Sequence, residues 1–423
     1  SSALSTQGQT ALLAFKGQWQ AGAWEVQQLD ARLADAVLSG HGRIHSAGPV
    51  LQGQWQLAWP GMNFQLSGEA APSRGQGQLH VTVLDAARAT AWLQRWPVGA
   101  SGLRGALVTG HVTGQAELSG QWQGGWQQKD SQLGFDWKVP AGQYQSAPQA
   151  VPLQLTQVQG QLRGTLAALQ TQWQGQVQQG LWLAHLNARM SLSTPWGPQS
   201  GKPGWQGQLQ TLDVDVKHSR QASGWQLQLP QEVDWRFMPL SPSPTVAWQA
   251  GTLQLRGPTP GLAKLSWSAG QWALAPRAGL PLPDVAQLQV DDVPLAWANA
   301  FGAPQVQGDV LLQGRVDVKS SHPLLLSAVL ERSRGDLQLP LEGANQALVP
   351  AGLREARAQL NINGPEAKLN LIWDSEQLGQ LSAQGQTQLS SSGEWLATAP
   401  ISGSVKSSLR RVGVWSLLAP PGW

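Results

Sequence analysis

Apolar and polar residues alternate one for one along most of this chain, and that two-residue period restricts it to β-structure. Successive strand side chains point to opposite faces, so each alternating run has one apolar and one wet side. Clear runs are Leu51, Gly53, Trp55, Leu57 and Trp59; Val112, Gly114, Ala116 and Leu118; Leu212, Val214 and Val216; Val233, Trp235 and Phe237. Another is Leu381, Ala383, Gly385, Thr387 and Leu389. The longest sets Val306, Gly308, Val310, Leu312, Gly314, Val316 and Val318 against Gln307, Asp309, Leu311, Gln313, Arg315 and Asp317. Turn clusters such as Ser193 to Gly204 and Pro239 to Pro244 separate the runs. The 48 Gly and 28 Pro, scattered along the chain, argue against long helices.

Three short stretches break the alternation and predict helices. Asp85 to Trp96 carries Asp85 as N-cap and an apolar stripe of Trp92, Leu93 and Trp96. Asp292 to Phe301 has Asp292 as N-cap, Pro294 in its first turn and Gly302 as its stop. Arg411 to Leu418 ends at Pro420-Pro421-Gly422. Each carries a Trp and is followed by proline, and the first two lead to strands opening apolar-x-Gly-x-apolar. The spacing is irregular, so the repeat is loose. The expected organisation is β-groove segments 1–84, 98–291 and 303–410, spacer helices 85–97 and 292–302, and a spacer helix with a truncated continuation at 411–423.

Composition narrows the function. There are 23 Trp against 5 Phe and 1 Tyr, so the chain has large apolar side chains to bury and is not disordered. A net charge of +3 with dispersed basic residues argues against a nucleic-acid partner. The absence of cysteine removes disulfides, thiolate metal sites and cysteine nucleophiles. His41 and His45 are the one close histidine pair, with no third ligand near them in sequence. Asp291-Asp292 reads as a helix cap rather than a catalytic pair. Gly75-Gln76-Gly77 lacks the third glycine and the strand-to-helix context of a phosphate cradle. No Gly-x-Ser-x-Gly elbow occurs. The expectation is a non-enzyme with no metal or cofactor. No apolar run reaches the length of a transmembrane helix, and the first residues do not read as a signal peptide.

Towards the C-terminus the motifs become recognisable: Trp373-Asp374-Ser375, Leu378-Gly379, Gly393-Glu394-Trp395, Ala399 to Val405, then Gly413-Val414-Trp415 through Pro420-Pro421-Gly422-Trp423. This order resembles the middle region of the TamB family, inner-membrane subunits of the translocation and assembly module. Leu295 to Gly302 and Leu93 to Pro97 also resemble that family's spacer helices. The resemblance is specific over the C-terminal third and one of style before it. The family's N-terminal anchor and C-terminal barrel-engaging domain are missing here, so a piece of a longer chain is expected.

The resemblance implies an AsmA-like, bridge-like lipid-transfer fold: an all-β, elongated curled sheet (a half-pipe or β-taco) with an apolar concave face and a few short helices. It implies phospholipid acyl chains as cargo and an outer-membrane barrel of the TamA or BamA type as partner. It also implies a periplasmic location anchored to the inner membrane. The residues expected to line the groove are Trp55, Leu57, Val112, Leu118, Leu212, Val214, Val216, Val233, Trp235, Phe237, Val306, Val310, Leu312, Val316, Leu381 and Leu389. Gly308, Gly314 and Gly385 are expected to widen it. Two other readings fit alternation: assembly of outer-membrane proteins by strand addition at a sheet edge, and an outer-membrane barrel. The barrel is poorly served by one Tyr and five Phe for its aromatic girdles.

Overall fold

Among the described residues, most of the alternating sequence forms strand. The computed structural model describes residues 2–6, 9–33, 35–45, 50–94, 110–146, 149–193, 204–219, 223–238, 244–273, 284–301, 307–319, 323–340, 348–390 and 398–410. Of these, 74% are in strands and 4% in two short helices, and the strands pair antiparallel into curled sheet. The chain divides into two compact units, Ser1–Leu212 and Asp213–Trp423.

The first unit is a meander. Its strands begin with β1 Ser2–Thr6, β2 Gln9–Gln20, β3 Ala23–Leu33, β4 Ala36–His45 and β5 Val50–Trp59. They continue with β6 Met62–Ala70, β7 Gly75–Val83, β8 His111–Gly114, β9 Ala116–Gln123 and β10 Gln132–Gln145. The last are β11 Leu153–Thr165, β12 Ala168–Gln179, β13 Trp182–Ser193 and β14 Trp205–His218, which runs on into the second unit. Each of β1 to β6 pairs with its successor, β7 pairs with β9, and β9 to β13 continue the ladder.

Between β7 and β8 lies helix α1, Ala86–Gln94. Asp85 caps it as expected, its Oδ1 accepting from the Arg88 N–H at 3.0 Å. The apolar stripe differs from expectation. Ala89 is buried and Trp92 stacks on Trp59 with ring centroids 5.8 Å apart, while Leu93 is exposed. Residues 95–97 lie outside the described residues, as does the third expected helix at 411–418.

In the second unit the strands are β15 Trp225–Gln228, β16 Val233–Met238, β17 Thr245–Trp248, β18 Gly251–Arg256 and β19 Ala263–Trp267. Then come β20 Gly270–Ala273, β21 Val285–Pro294, β22 Gln307–Gly308, β23 Leu311–Lys319 and β24 Leu325–Arg334. The final ones are β25 Leu337–Pro340, β26 Leu348–Pro350, β27 Leu353–Asn363, β28 Glu366–Ser375, β29 Gly379–Gln388 and β30 Ser402–Leu409. The main ladder runs β15, β18, β19, β21, β23, β24, β27, β28, β29, β30. The strands β22, β25 and β26 form a separate small sheet.

Two expectations are corrected in this unit. Asp292 is not an N-cap: β21 continues through it to Pro294, and its φ of +56° sits at a register shift between Val290 and Val293. A β-bulge absorbs the Asp-Asp pair, because a short polar side chain tolerates positive φ. Only Leu295–Phe301 is helical, as a 3₁₀ turn whose first N–H donates to the Val310 carbonyl at 2.9 Å. The longest alternating run is not one strand either. It breaks at Asp309-Val310, leaving Gly308 in the small sheet and Leu311–Lys319 in the main one. The break has a local cause: the Asp336 carboxylate accepts from the N–H groups of Leu337, Gly352 and Leu353, and Asp309 Oδ1 accepts from the Asp336 N–H. These bonds fold the chain into a compact knot instead of a continued ladder.

Glycine serves the aromatic rings. In six cross-strand pairs among the described residues, a glycine stands opposite an aromatic whose ring covers it: Gly40 and Trp55, Gly77 and Trp122, Gly120 and Phe135, Gly160 and Trp137, Gly251 and Trp267, Gly270 and Trp248. In each pair the ring lies across the position that a glycine Cβ would take, at 2.6 Å for Gly40 and 2.7 Å for Gly270. The ring thereby covers bare backbone of its neighbour, the aromatic rescue of a strand glycine. Of the three glycines expected to widen the groove, Gly385 has no atom within 4 Å of its Cβ position and Gly314 meets Val290 and Leu330. Gly308 lies off the main face altogether. Gly160→Val is therefore expected to push Trp137 off the sheet and cost about 1–3 kcal/mol, while Gly385→Val changes stability by less than about 0.5 kcal/mol. Denaturant unfolding midpoints of the two variants check this.

Candidate functional site

Because strand partners share a face, the ladders align side chains into rows. In the first unit one row runs from β2 to β13 (omitting β8) through Leu13, Ala31, Leu38, Leu57, Phe64, Val81, Leu118, Trp137, Gly160, Trp173 and Ala188. Beside it run Phe15, Leu29, Gly40, Trp55, Leu66, Leu79, Gly120, Phe135, Leu162, Thr171 and Met190. In the second unit a row crosses β18 to β30 through Leu253, Leu265, Val290, Gly314, Leu330, Ala358, Leu371, Ala383 and Val405. Its neighbour is Gly251, Trp267, Leu288, Val316, Ala328, Leu360, Leu369, Gly385 and Gly403. Each unit thus carries a broad apolar face.

That face is not sealed like a core. Trp19 is 50% exposed, Trp173 40%, Leu330 43% and Leu369 41%. A soluble sheet ordinarily buries such a face under a second layer. Here a hollow of about 230 Å³ opens on it in the second unit, lined by Leu288, Val290, Val316, Leu330, Leu360 and Leu369 among others. The first unit is also hollow on its opposite face, with cavities of about 1080 and 550 Å³ walled by glutamines such as Gln54, Gln65, Gln78 and Gln121. A twisted sheet is saddle-shaped, so each face can be concave along one diagonal.

The sequence-predicted residues divide between these settings. Leu57, Leu118 and Val316 stand in the rows, and Trp55 does too, although only 8% exposed. Val112 faces Tyr144 on β10, where the register slips by one residue near Pro140 relative to β9. Leu212 is half-buried on β14; Val214 and Val216 pair with Leu227 and Trp225. Trp235 and Phe237 pair with Trp248 and Val246, while Val233 is buried. Leu381 faces Trp373, and Leu389 is buried beyond the end of β29, its N–H on the Pro365 carbonyl. Val306 lies outside the described residues. Val310 is corrected: at 2% exposure it is a core residue, packed with Leu337, Leu339, Ala351, Leu353 and Leu378, and Leu312 leans on that cluster. The residues that line the second-unit hollow from β24, β27 and β28 carried the same alternation but were not singled out.

The wet face holds fixed charges in local pairs: Arg163 with Asp136, Arg315 with Asp317, Arg32 with Asp30. Hydrogen bonding to the carboxylate, then its charge, raises the guanidinium pKa of Arg32 and Arg315 above its already high ordinary value. Catalytic geometry is thin among the described residues. His80 Nδ1 lies 3.1 Å from Ser119 Oγ, but its Nε2 faces Thr82 and the nearby Asp136 is taken by Arg163. No group of three or more His, Asp or Glu suited to a metal occurs among them. The indole N–H groups of Trp55, Trp59 and Trp235 are buried without a hydrogen-bond acceptor among the described residues. Such unsatisfied donors cost about 1–3 kcal/mol each.

Val310 and Val316 separate core from face. Val310→Asp buries an unpaired carboxylate and should lower the unfolding free energy by at least about 3 kcal/mol. Val316→Asp lies on an open face and should cost about 1 kcal/mol while abolishing binding of a hydrophobic dye to the second-unit hollow. Calorimetry and dye fluorescence on the two variants test this, and equal destabilisation would remove the distinction. Among known proteins, no family model matches this chain, and neither a curated protein nor a solved structure does.

Proposed function

We propose that this chain is a segment of a lipid conduit, holding phospholipid acyl chains on its apolar face as they pass between two membranes in a periplasmic space. The observation that supports it is the set of continuous, part-exposed apolar rows crossing each unit. Two acyl chains of about 30 methylenes cost on the order of 24 kcal/mol when bared to water, so lipid does not cross an aqueous gap freely. A sheet face with Leu and either Val or Trp in every row removes that cost without chemistry. Successive rows offer equivalent environments, so movement along them meets no deep trap. This reading makes the protein a non-enzyme of TamB-like architecture, anchored to the inner membrane through sequence beyond these residues. No helix among the described residues is long and apolar enough to cross a membrane.

A photo-crosslinker at Leu330 or Leu369 should label acyl chains from phospholipid vesicles, whereas one at Gln384 or Gln386 should not. Mass spectrometry of the adducts reads the result, and equal labelling from both faces would remove the conduit reading.

A second reading, strand addition in outer-membrane protein assembly, draws support from β30. Its eight residues are all exposed, and it pairs only with β29 among the described residues. A free edge is a template for another strand. A peptide with barrel-strand alternation should then bind the wild type, and the double substitution Ser404→Pro and Val405→Pro should weaken it about tenfold or more. Equal affinity for both proteins, measured by fluorescence anisotropy, eliminates this reading. Under it an outer-membrane barrel of the TamA or BamA type is the partner.

A further inference from the structure

At the ends of β14, β15 and β18 the two faces of the second unit's sheet meet around a cavity of about 550 Å³. The wet face contributes Lys217, near the end of β14, and Arg256, the last residue of β18. Asp215, Gln226 and Arg256 stand in one cross-strand row, so the cavity holds two cations and one carboxylate. No carboxylate forms an ion pair with Lys217 or Arg256 among the described residues, whereas Arg163 and Arg315 on the same kind of face are each committed to an aspartate. The loop from Gly257 to Gly261 closes one wall. In it the Thr259 hydroxyl is buried with no hydrogen-bond partner among the described residues. The apolar face contributes Trp225, opposite Val216, whose ring meets Trp297 edge-on at 5.2 Å.

We propose that this rim cavity is a phosphate-binding subsite, in which Lys217, Arg256 and the Thr259 hydroxyl hold a phosphate monoester or diester. Two uncommitted cations leave a net positive charge, and guanidinium and ammonium groups are the side chains that match phosphate oxygens. A buried hydroxyl without a partner supplies a further donor at no new desolvation cost. Trp225 places an apolar surface beside the charges, which suits an anion carrying a hydrocarbon tail. Under the conduit reading, on which this last step rests, the rim receives the headgroup while the acyl chains lie along Trp225 and Leu227.

The test uses the whole 423-residue chain and three probes: inorganic phosphate, a short-chain phosphatidylglycerol below its micelle concentration, and the diacylglycerol with the same chains. The wild type is compared with the double variant Lys217→Gln, Arg256→Gln and with Arg236→Gln, an exposed arginine of the same unit. Matching unfolding midpoints show that the variants fold. Isothermal titration should show the wild type preferring phosphatidylglycerol over diacylglycerol by about tenfold. In the double variant that preference should vanish with diacylglycerol binding unchanged, and Arg236→Gln should keep it. If inorganic phosphate binds the wild type, is lost in the double variant, and neither lipid binds, the subsite stands as one for free phosphate and the conduit reading fails alone. A double variant that retains wild-type affinity for phosphatidylglycerol and phosphate overturns the proposal.

Discussion

The structure depends on cross-strand register. Antiparallel pairing sets each residue opposite one partner on the same face, so a two-residue sequence period becomes a two-dimensional pattern only if register is kept from strand to strand. A slip of one residue would throw a strand's apolar set onto the wet side. Here the row through Leu57, Phe64, Val81, Leu118 and Trp137 holds across β5, β6, β7, β9 and β10 with no such slip. Where the register does shift, as at Val290 to Val293, the extra residue is taken up in a bulge and the apolar row resumes with Val293 opposite Leu312.

Tryptophan and glycine keep the rows in place together. A Trp that lies flat across a neighbouring glycine covers backbone on two strands, which ties register to a shape match rather than to hydrophobicity alone. This accounts for a composition heavy in both residues. It also keeps the apolar face low and smooth, since the bulkiest side chains lie down on it instead of standing up.

The two faces then take different chemistry. Glutamine on the wet side gives each position donors and an acceptor without net charge, so closely spaced strands avoid like-charge repulsion across the ladder. Some of the charged residues are settled in pairs, such as Arg163 with Asp136. Lys217 and Arg256 differ from the other cations in sharing one cavity with Trp225 and with a buried Thr259 hydroxyl that has no partner among the described residues.

Alternation by itself determined the strand-rich fold, the polarity of each face, and the membership of Leu57, Leu118 and Val316 in the apolar rows. Those are consequences of a backbone whose side chains point alternately up and down. Asp85 was legible as a cap because its side chain bonds within three residues. Asp292 was not, since the same cap chemistry also fits a bulge, and only pairing with β23 chose between them. Val310 continued the alternation in sequence, yet the carboxylates of Asp309 and Asp336 turned the chain there and buried it in a core. The partners in each row, the hollow on the apolar face and the meeting of Lys217, Arg256 and Trp225 join residues far apart along the chain. Such neighbours are set by register between strands, which tertiary pairing decides and local period does not.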